Sequence, residues 1–145
     1  PSMWIDPFAE AGADIIIFCF DAVEDPGAVL EAIKSKGLQA GVSLLLDEDL
    51  DLLDPYWSLL DVLTLLGTPA GIKGADMDPT APGRIRLARQ IIDTRGVATV
   101  VEADGGIRRH TVPQIAAAGA DFIVPGSLIF KEDPQAMRAW LASLD

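Results

Sequence analysis

Short aliphatic runs alternate along the whole chain with longer stretches in which apolar positions recur every three or four residues. Ile15–Phe20, Gln39–Leu45, Val62–Leu66, Val97–Ala103 and Phe122–Val124 are rich in β-branched and aliphatic side chains and predict five strands. Asp25–Lys36, Pro82–Arg95, Thr111–Ala118 and Pro134–Leu144 predict helices, and Leu50–Leu53 a short helical piece. Ser2–Ala11 predicts an opening helix, with Ser2 at the cap position and Trp4 and Phe8 on one face. The strands are apolar throughout rather than alternating, the pattern of parallel strands covered on both sides. Strand and helix in strict alternation mean an α/β fold with a parallel sheet.

The joints keep the same period. Gly12, Gly37, Gly96 and Gly119 each stand just past a helix and just before a strand, where a left-handed residue ends the helix. Ala11-Gly12-Ala13-Asp14 and Ala118-Gly119-Ala120-Asp121 are near duplicates, read as equivalent joints of a repeated α/β unit. Five strands in 145 residues leave about 29 residues per unit. A closed eight-stranded α/β barrel takes roughly 200 to 250 residues. The chain is therefore expected to form either an open sheet or the later part of a barrel, and its start on a helix favours the latter.

Charge and composition narrow the partners. Eleven basic against 22 acidic residues give a formal charge of −11, which excludes nucleic acid and anionic membrane as main partners. A single cysteine, Cys19, rules out a disulfide within the chain and fits a reducing compartment. No basic-then-apolar leader opens the sequence and no apolar run approaches bilayer length, so a cytoplasmic protein is expected.

Parallel α/β folds collect ligands at the carboxyl ends of their strands. Two such ends carry glycine loops, Asp104-Gly105-Gly106 after the fourth predicted strand and Gly126-Ser127 after the fifth. Glycines there let backbone N–H groups approach an anion closely, and a short helix starting after Gly126 would add its positive end. The pair in successive units predicts a phosphate site, with Asp104 beside it as an acid/base group, a metal ligand or a turn cap. Cys19 reads three ways: a small buried apolar residue, a thiolate ligand for zinc, or a nucleophile. His110 is expected to cap a helix or face solvent. Asp47-Glu48 with Asp49 and Asp51 reads as a solvated loop and helix start, and Trp57 and Trp140 as packing.

From Trp4 through Trp140 the chain resembles the ribulose-phosphate 3-epimerase family. The resemblance rests on Pro7-Phe8-Ala9-Glu10-Ala11-Gly12-Ala13-Asp14, Phe18-Cys19-Phe20-Asp21-Ala22 and Lys36-Gly37-Leu38-Gln39-Ala40-Gly41-Val42. It continues through Glu102-Ala103-Asp104-Gly105-Gly106-Ile107, Ala118-Gly119-Ala120-Asp121 and Gly126-Ser127-Leu128-Ile129-Phe130. It implies a TIM (β/α)8 barrel of which this chain carries the last five strands, as one partial domain. It also implies an isomerase that moves a proton at C3 of a pentulose 5-phosphate, using two aspartates around a divalent metal (Zn, Fe, Mn or Co). Asp104 matches one of those aspartates. Gly105, Gly106, Gly126 and Ser127 match phosphate-binding positions, and Gly71 and Gly74 match two glycines of a mobile loop.

The chain also departs from the family. The second aspartate and a histidine belong to a family strand with no counterpart here, and Cys19 stands where another metal-binding histidine is expected. An Asn-Pro pair reads Leu45-Leu46, a shielding methionine reads Leu66, and the glycine-rich loop reads Ala70-Gly71-Ile72-Lys73-Gly74-Ala75. Asp104 and Cys19 are the metal ligands the resemblance leaves, so metal binding is expected to be weak or lost. A non-catalytic phosphosugar-binding paralogue is the alternative to an epimerase. A lyase is a third reading, and it lacks the strand-end lysine it would need, since Lys73 falls in a predicted loop. Two open sheet edges are expected to be completed by further strands or by a second copy of the chain.

Overall fold

The computed structural model describes residues 2–72, 74–130 and 133–144. Lys73, predicted to lie in a loop, is outside the described residues. Five strands form one sheet: β1 (Ile15–Cys19), β2 (Gln39–Leu44), β3 (Val62–Leu66), β4 (Val100–Asp104) and β5 (Phe122–Val124). They lie side by side in chain order, every neighbouring pair parallel. The helices are α1 (Ser2–Glu10), α2 (Pro26–Ser35), α3 (Ala81–Arg95), α4 (Val112–Ala117) and α5 (Pro134–Leu141), with single 3-10 turns at Phe20–Ala22, Leu50–Leu53 and Gly126–Leu128.

Sequential order decides where the helices go. Right-handed crossovers that always step to the next strand stack every helix on the same face of the sheet. Accordingly Phe18, Ala40, Val42, Leu44, Leu63, Leu65, Val101 and Ala103 are buried in one cluster with Leu30, Ile33, Ile85, Ile92 and Ile115 of the helices. The other face carries the alternate residues, and no described helix covers it. Burial on both sides, expected from the apolar strands, holds at β3, where Val62 and Thr64 of that face are also buried, and is corrected at the outer strands. Ile15 is 45% exposed, Ile17 37% and Phe122 57%.

Local chemistry sets the boundaries. Asp25, predicted as the first residue of its helix, is the N-cap of α2, its carboxylate accepting from the Ala28 N–H at 3.0 Å. The predicted strand Val97–Ala103 begins only at Val100. Thr99 is buried, and its hydroxyl donates to the Leu60 carbonyl at 2.8 Å, holding the segment outside the ladder. The last helix ends at Leu141 rather than Leu144, where the Ser143 hydroxyl bonds back to the Trp140 carbonyl.

The repeated joint takes a more specific form than the duplicated sequence predicts. Asp61, just before β3, donates its N–H to the Ala40 carbonyl and accepts the Ala40 N–H on its carboxylate, both at 2.8 Å. Asp121, just before β5, does the same with Val101, again at 2.8 Å twice. Each carboxylate also pairs with a base from the helix that leads into the neighbouring strand, Lys34 of α2 in one case and Arg89 of α3 in the other. The duplicated joints are equivalent as expected, the Gly12 and Ala13 N–H groups donating to Ala9 and Phe8 as those of Gly119 and Ala120 do to Ala116 and Ile115, and the device shared by Asp61 and Asp121 pins the amino ends of their strands.

Candidate active site at the carboxyl ends of the strands

Strand register fixes what faces the open side. Asp104 ends β4 and stands opposite Leu66 of β3 and Val124 of β5. It is half-buried, and its side chain lies on the face that the helices leave uncovered. One pair of residues further in, a polar row crosses four strands, with Cys19 opposite Ser43, Ser43 opposite Thr64 and Thr64 opposite Glu102. Thr64 is only 4% exposed, and its hydroxyl donates to Glu102 Oε1 at 2.9 Å. Sequence reading passed over Thr64 and Glu102 as site residues. An apolar strand gives no sign of its partner 38 positions away; the one available signal was Glu102 standing two residues before Asp104.

The loops beyond β3 and β4 interlock behind Asp104. The Gly67 N–H donates to the Asp104 carbonyl at 2.6 Å, and the Asp78 N–H to the Gly67 carbonyl at 2.8 Å. Gly105 and Gly106 both hold positive φ, +94° and +68°. A Cβ on Gly105 would come within 2.4 Å of Thr68 Oγ1, and one on Gly106 within 2.6 Å of the Met77 backbone. Close approach of the two loops therefore requires these glycines, whatever else they bind. Thr111, buried at the start of α4, ties the segment together: its hydroxyl donates to the Gly106 carbonyl at 2.8 Å and accepts the Arg108 N–H at 2.9 Å.

Gly126 and Ser127 follow β5, the neighbour of β4, so the two glycine loops open at adjacent strand ends. Both residues are exposed, and nothing lies within 4 Å of the position a Gly126 Cβ would take. The helix expected after Gly126 is a single 3-10 turn of three residues. Gly71 and Gly74 sit in the exposed loop between β3 and α3, both with positive φ and open space around them.

The two metal ligands left by the resemblance, Cys19 and Asp104, end strands β1 and β4, three places apart in the sheet. Cys19 ends β1 and is exposed, correcting its reading as a buried apolar residue. Its register aligns it with Glu102 rather than Asp104, and three interstrand steps of about 4.8 Å put about 14 Å of sheet between β1 and β4. Among the described residues no three of His, Cys, Asp and Glu are grouped to hold a metal ion. These residues alone do not fit the divalent ion that the resemblance implies. His110 is exposed in the loop before α4, its carbonyl accepting from the Gln114 amide.

Two further groups shape the same rim. The loop after β2 is tied down rather than merely solvated: Glu48 accepts the Leu45 N–H at 2.7 Å, and Arg84 of α3 donates to the carbonyls of Leu45 and Glu48. Burial holds the Arg84 guanidinium below its ordinary pKa, with Glu48, Asp49, Asp47 and Asp78 opposing that shift. Trp57 is buried as predicted, while Trp140 of α5 is half-buried and carries the Arg109 guanidinium 4.6 Å from its ring centre.

Comparison with known proteins is consistent with this arrangement. A profile of the ribulose-phosphate 3 epimerase family matches residues 1–130. The chain is 35% identical over 140 residues to the ribulose-phosphate 3-epimerase of Chlamydia pneumoniae, an alignment covering 95% of this chain and 61% of that protein. It is 34% identical to the Mycobacterium tuberculosis protein of the same name over 97% of the chain and 62% of the relative. With the Escherichia coli K12 protein the identity is 37% over 88% of the chain and 57% of the relative. The chain spans about three-fifths of the length of the curated relatives it matches. Among the described residues no helix is long and apolar enough to cross a membrane.

Proposed function

The chain belongs to the ribulose-phosphate 3-epimerase family, and from that premise we propose that the protein epimerises C3 of a ketose 5-phosphate, interconverting D-ribulose 5-phosphate and D-xylulose 5-phosphate. Asp104 takes the C3 proton as a carboxylate base, leaving an enediolate across C2 and C3. A second acid, from a strand outside residues 1–145, returns a proton to the opposite face. The phosphate is held by backbone N–H groups of Gly105, Gly106 and Gly126 and by Ser127, with Gly71 and Gly74 giving the loop after β3 the freedom to close over it.

One observation carries this reading. A half-buried carboxylate ends β4 on the open face, its loop continues directly into two glycines of positive φ, and the next strand end opens with Gly126-Ser127. The fold supports it as well. A singly wound parallel sheet, covered on one face and open at both edges, is what the last five strands of an eight-stranded barrel would be. We place the remaining strands, or a second copy of the chain, against the edges of β1 and β5, and the protein in the reducing cytoplasm.

Exchange at C3 in D2O tests the proposal. Purified protein incubated with D-ribulose 5-phosphate should incorporate deuterium at C3 by NMR, and Asp104→Asn should slow exchange by roughly 100-fold or more while leaving phosphate binding intact. Full exchange by Asp104→Asn would remove Asp104 from the chemistry. Phosphosugar binding with no exchange in the wild type would favour a binder without turnover.

A further inference from the structure

We infer that Glu102 is a specificity residue of this site, one whose free carboxylate oxygen accepts a hydrogen bond from a hydroxyl of the ketose chain. The inference rests on the reading of Asp104 and the glycine loops given above and extends it to the other end of the substrate. Glu102 lies on the same face as Asp104, two residues inward along β4, a step of about 6.7 Å. Its Oε1 is occupied by the hydroxyl of Thr64, which is itself almost wholly buried and therefore fixes where the carboxylate stands. Among the described residues Oε2 has no partner.

The surroundings make that free oxygen selective. One residue pair deeper, the open face is Ile17, Gly41, Val62 and Val100, which offer no side-chain donor. An ionised carboxylate is an acceptor only, and leaving it unsatisfied on a face that is to be covered is costly. It repels a phosphate and attracts a hydroxyl. A phosphorylated polyol lying with its phosphate at the glycine loops would present hydroxyls inward past Asp104, toward Glu102. The polar row Cys19–Ser43–Thr64–Glu102 is thus the hydroxyl-facing strip of the site, with Glu102 its charged member.

Glu102→Gln is a clean probe, because the amide carbonyl can still accept from Thr64 while an NH2 replaces the free oxygen. Calorimetric titration of the purified protein with D-ribulose 5-phosphate should show affinity falling roughly 10- to 100-fold in this variant, the range for losing a hydrogen bond to a charged acceptor. Inorganic phosphate should bind as before or slightly more tightly, since a nearby negative charge is gone. Thr64→Val, which frees the carboxylate from its anchor, should weaken the sugar phosphate in the same selective way. Unchanged sugar-phosphate affinity in Glu102→Gln overturns the inference, as do equal losses for both ligands, which would mark a structural role such as pairing with a covering segment. A wild type that binds phosphate but gains nothing from the sugar leaves the anion loops standing and removes Glu102. A wild type that binds neither overturns both readings.

Discussion

Gly106→Ala should destabilise the protein by about 2–5 kcal/mol, well beyond what its unusual backbone angle alone would cost. The first contribution is the left-handed conformation: at φ +68° a Cβ costs about 1–2 kcal/mol. The second is contact. The new carbon would lie 2.6 Å from Met77 Cα and Cβ and 2.7 Å from Met77 N, atoms that cannot rotate away. Relief requires the loop after β3 to move as a body, and overpacking of that kind costs about 1–3 kcal/mol. Gly71→Ala isolates the first contribution, since Gly71 has φ +78° but nothing within 4 Å of its Cβ position. Urea unfolding followed by the fluorescence of buried Trp57 should place the midpoint of Gly106→Ala about 1 M or more below that of Gly71→Ala. Midpoints for the two variants that coincide would show that the loops are not interlocked and would refute the reasoning.

Gly126→Asp, placing a negative side chain in the open space beside β5, should abolish measurable phosphate binding by calorimetry while costing no more than the ~1–2 kcal/mol of a left-handed residue, since φ is +46°; retained affinity would move the anion elsewhere. Residues 1–145 expressed alone should self-associate and bind a hydrophobic dye, because half-exposed Ile15, Ile17, Phe122 and Val124 each forfeit on the order of 1 kcal/mol and two strand edges are unpaired. A monodisperse 15.4 kDa species in sedimentation would contradict this. The Thr80 hydroxyl and N–H hold the Asp78 carboxyl below its usual pKa, so its contribution to stability is present above the ordinary carboxylate range and is lost as pH falls through the lowered value. Asp78→Asn should flatten that acid-side loss in pH-dependent denaturation curves, and an unchanged slope would argue against it.

Where sequence and structure agree, the deciding information is local. Asp104-Gly105-Gly106 could be located at a strand end because a β-branched run stops there and two glycines follow, and the structure keeps that order. The strand bounds shifted where a tertiary partner intervened, as with Thr99 and the Leu60 carbonyl. Which face of an apolar strand is covered could not be read at all. Ile15, Ile16, Ile17 and Phe18 look alike in sequence, yet Phe18 is buried and Ile17 is not, because the helices occupy one side only. Thr64 and Glu102 meet through register across separate strands, and Cys19 falls in line with them rather than with Asp104 for the same reason. The family resemblance named the glycines, but Thr68 and Met77, against which two of them pack, emerged only in three dimensions.

The strictly consecutive strand order also bears on how the chain comes to be folded. Each strand pairs with the next one made: Ile15 meets Gln39 after 24 residues, Gly41 meets Val62 after 21, and Glu102 meets Phe122 after 20. Only the step from Val62 to Val100 spans more, 38 residues that include the whole of α3. Nothing in the sheet has to wait for a distant segment, so pairing can follow the ribosome from the amino end, with loop-closure entropy kept small at every stage. The β3-to-β4 closure becomes the natural slow step, and it is the same closure that docks the Gly67 loop onto Asp104 and brings Thr64 to Glu102. The widest closure in assembling this sheet is thus the one that creates the chemistry-bearing corner of the molecule.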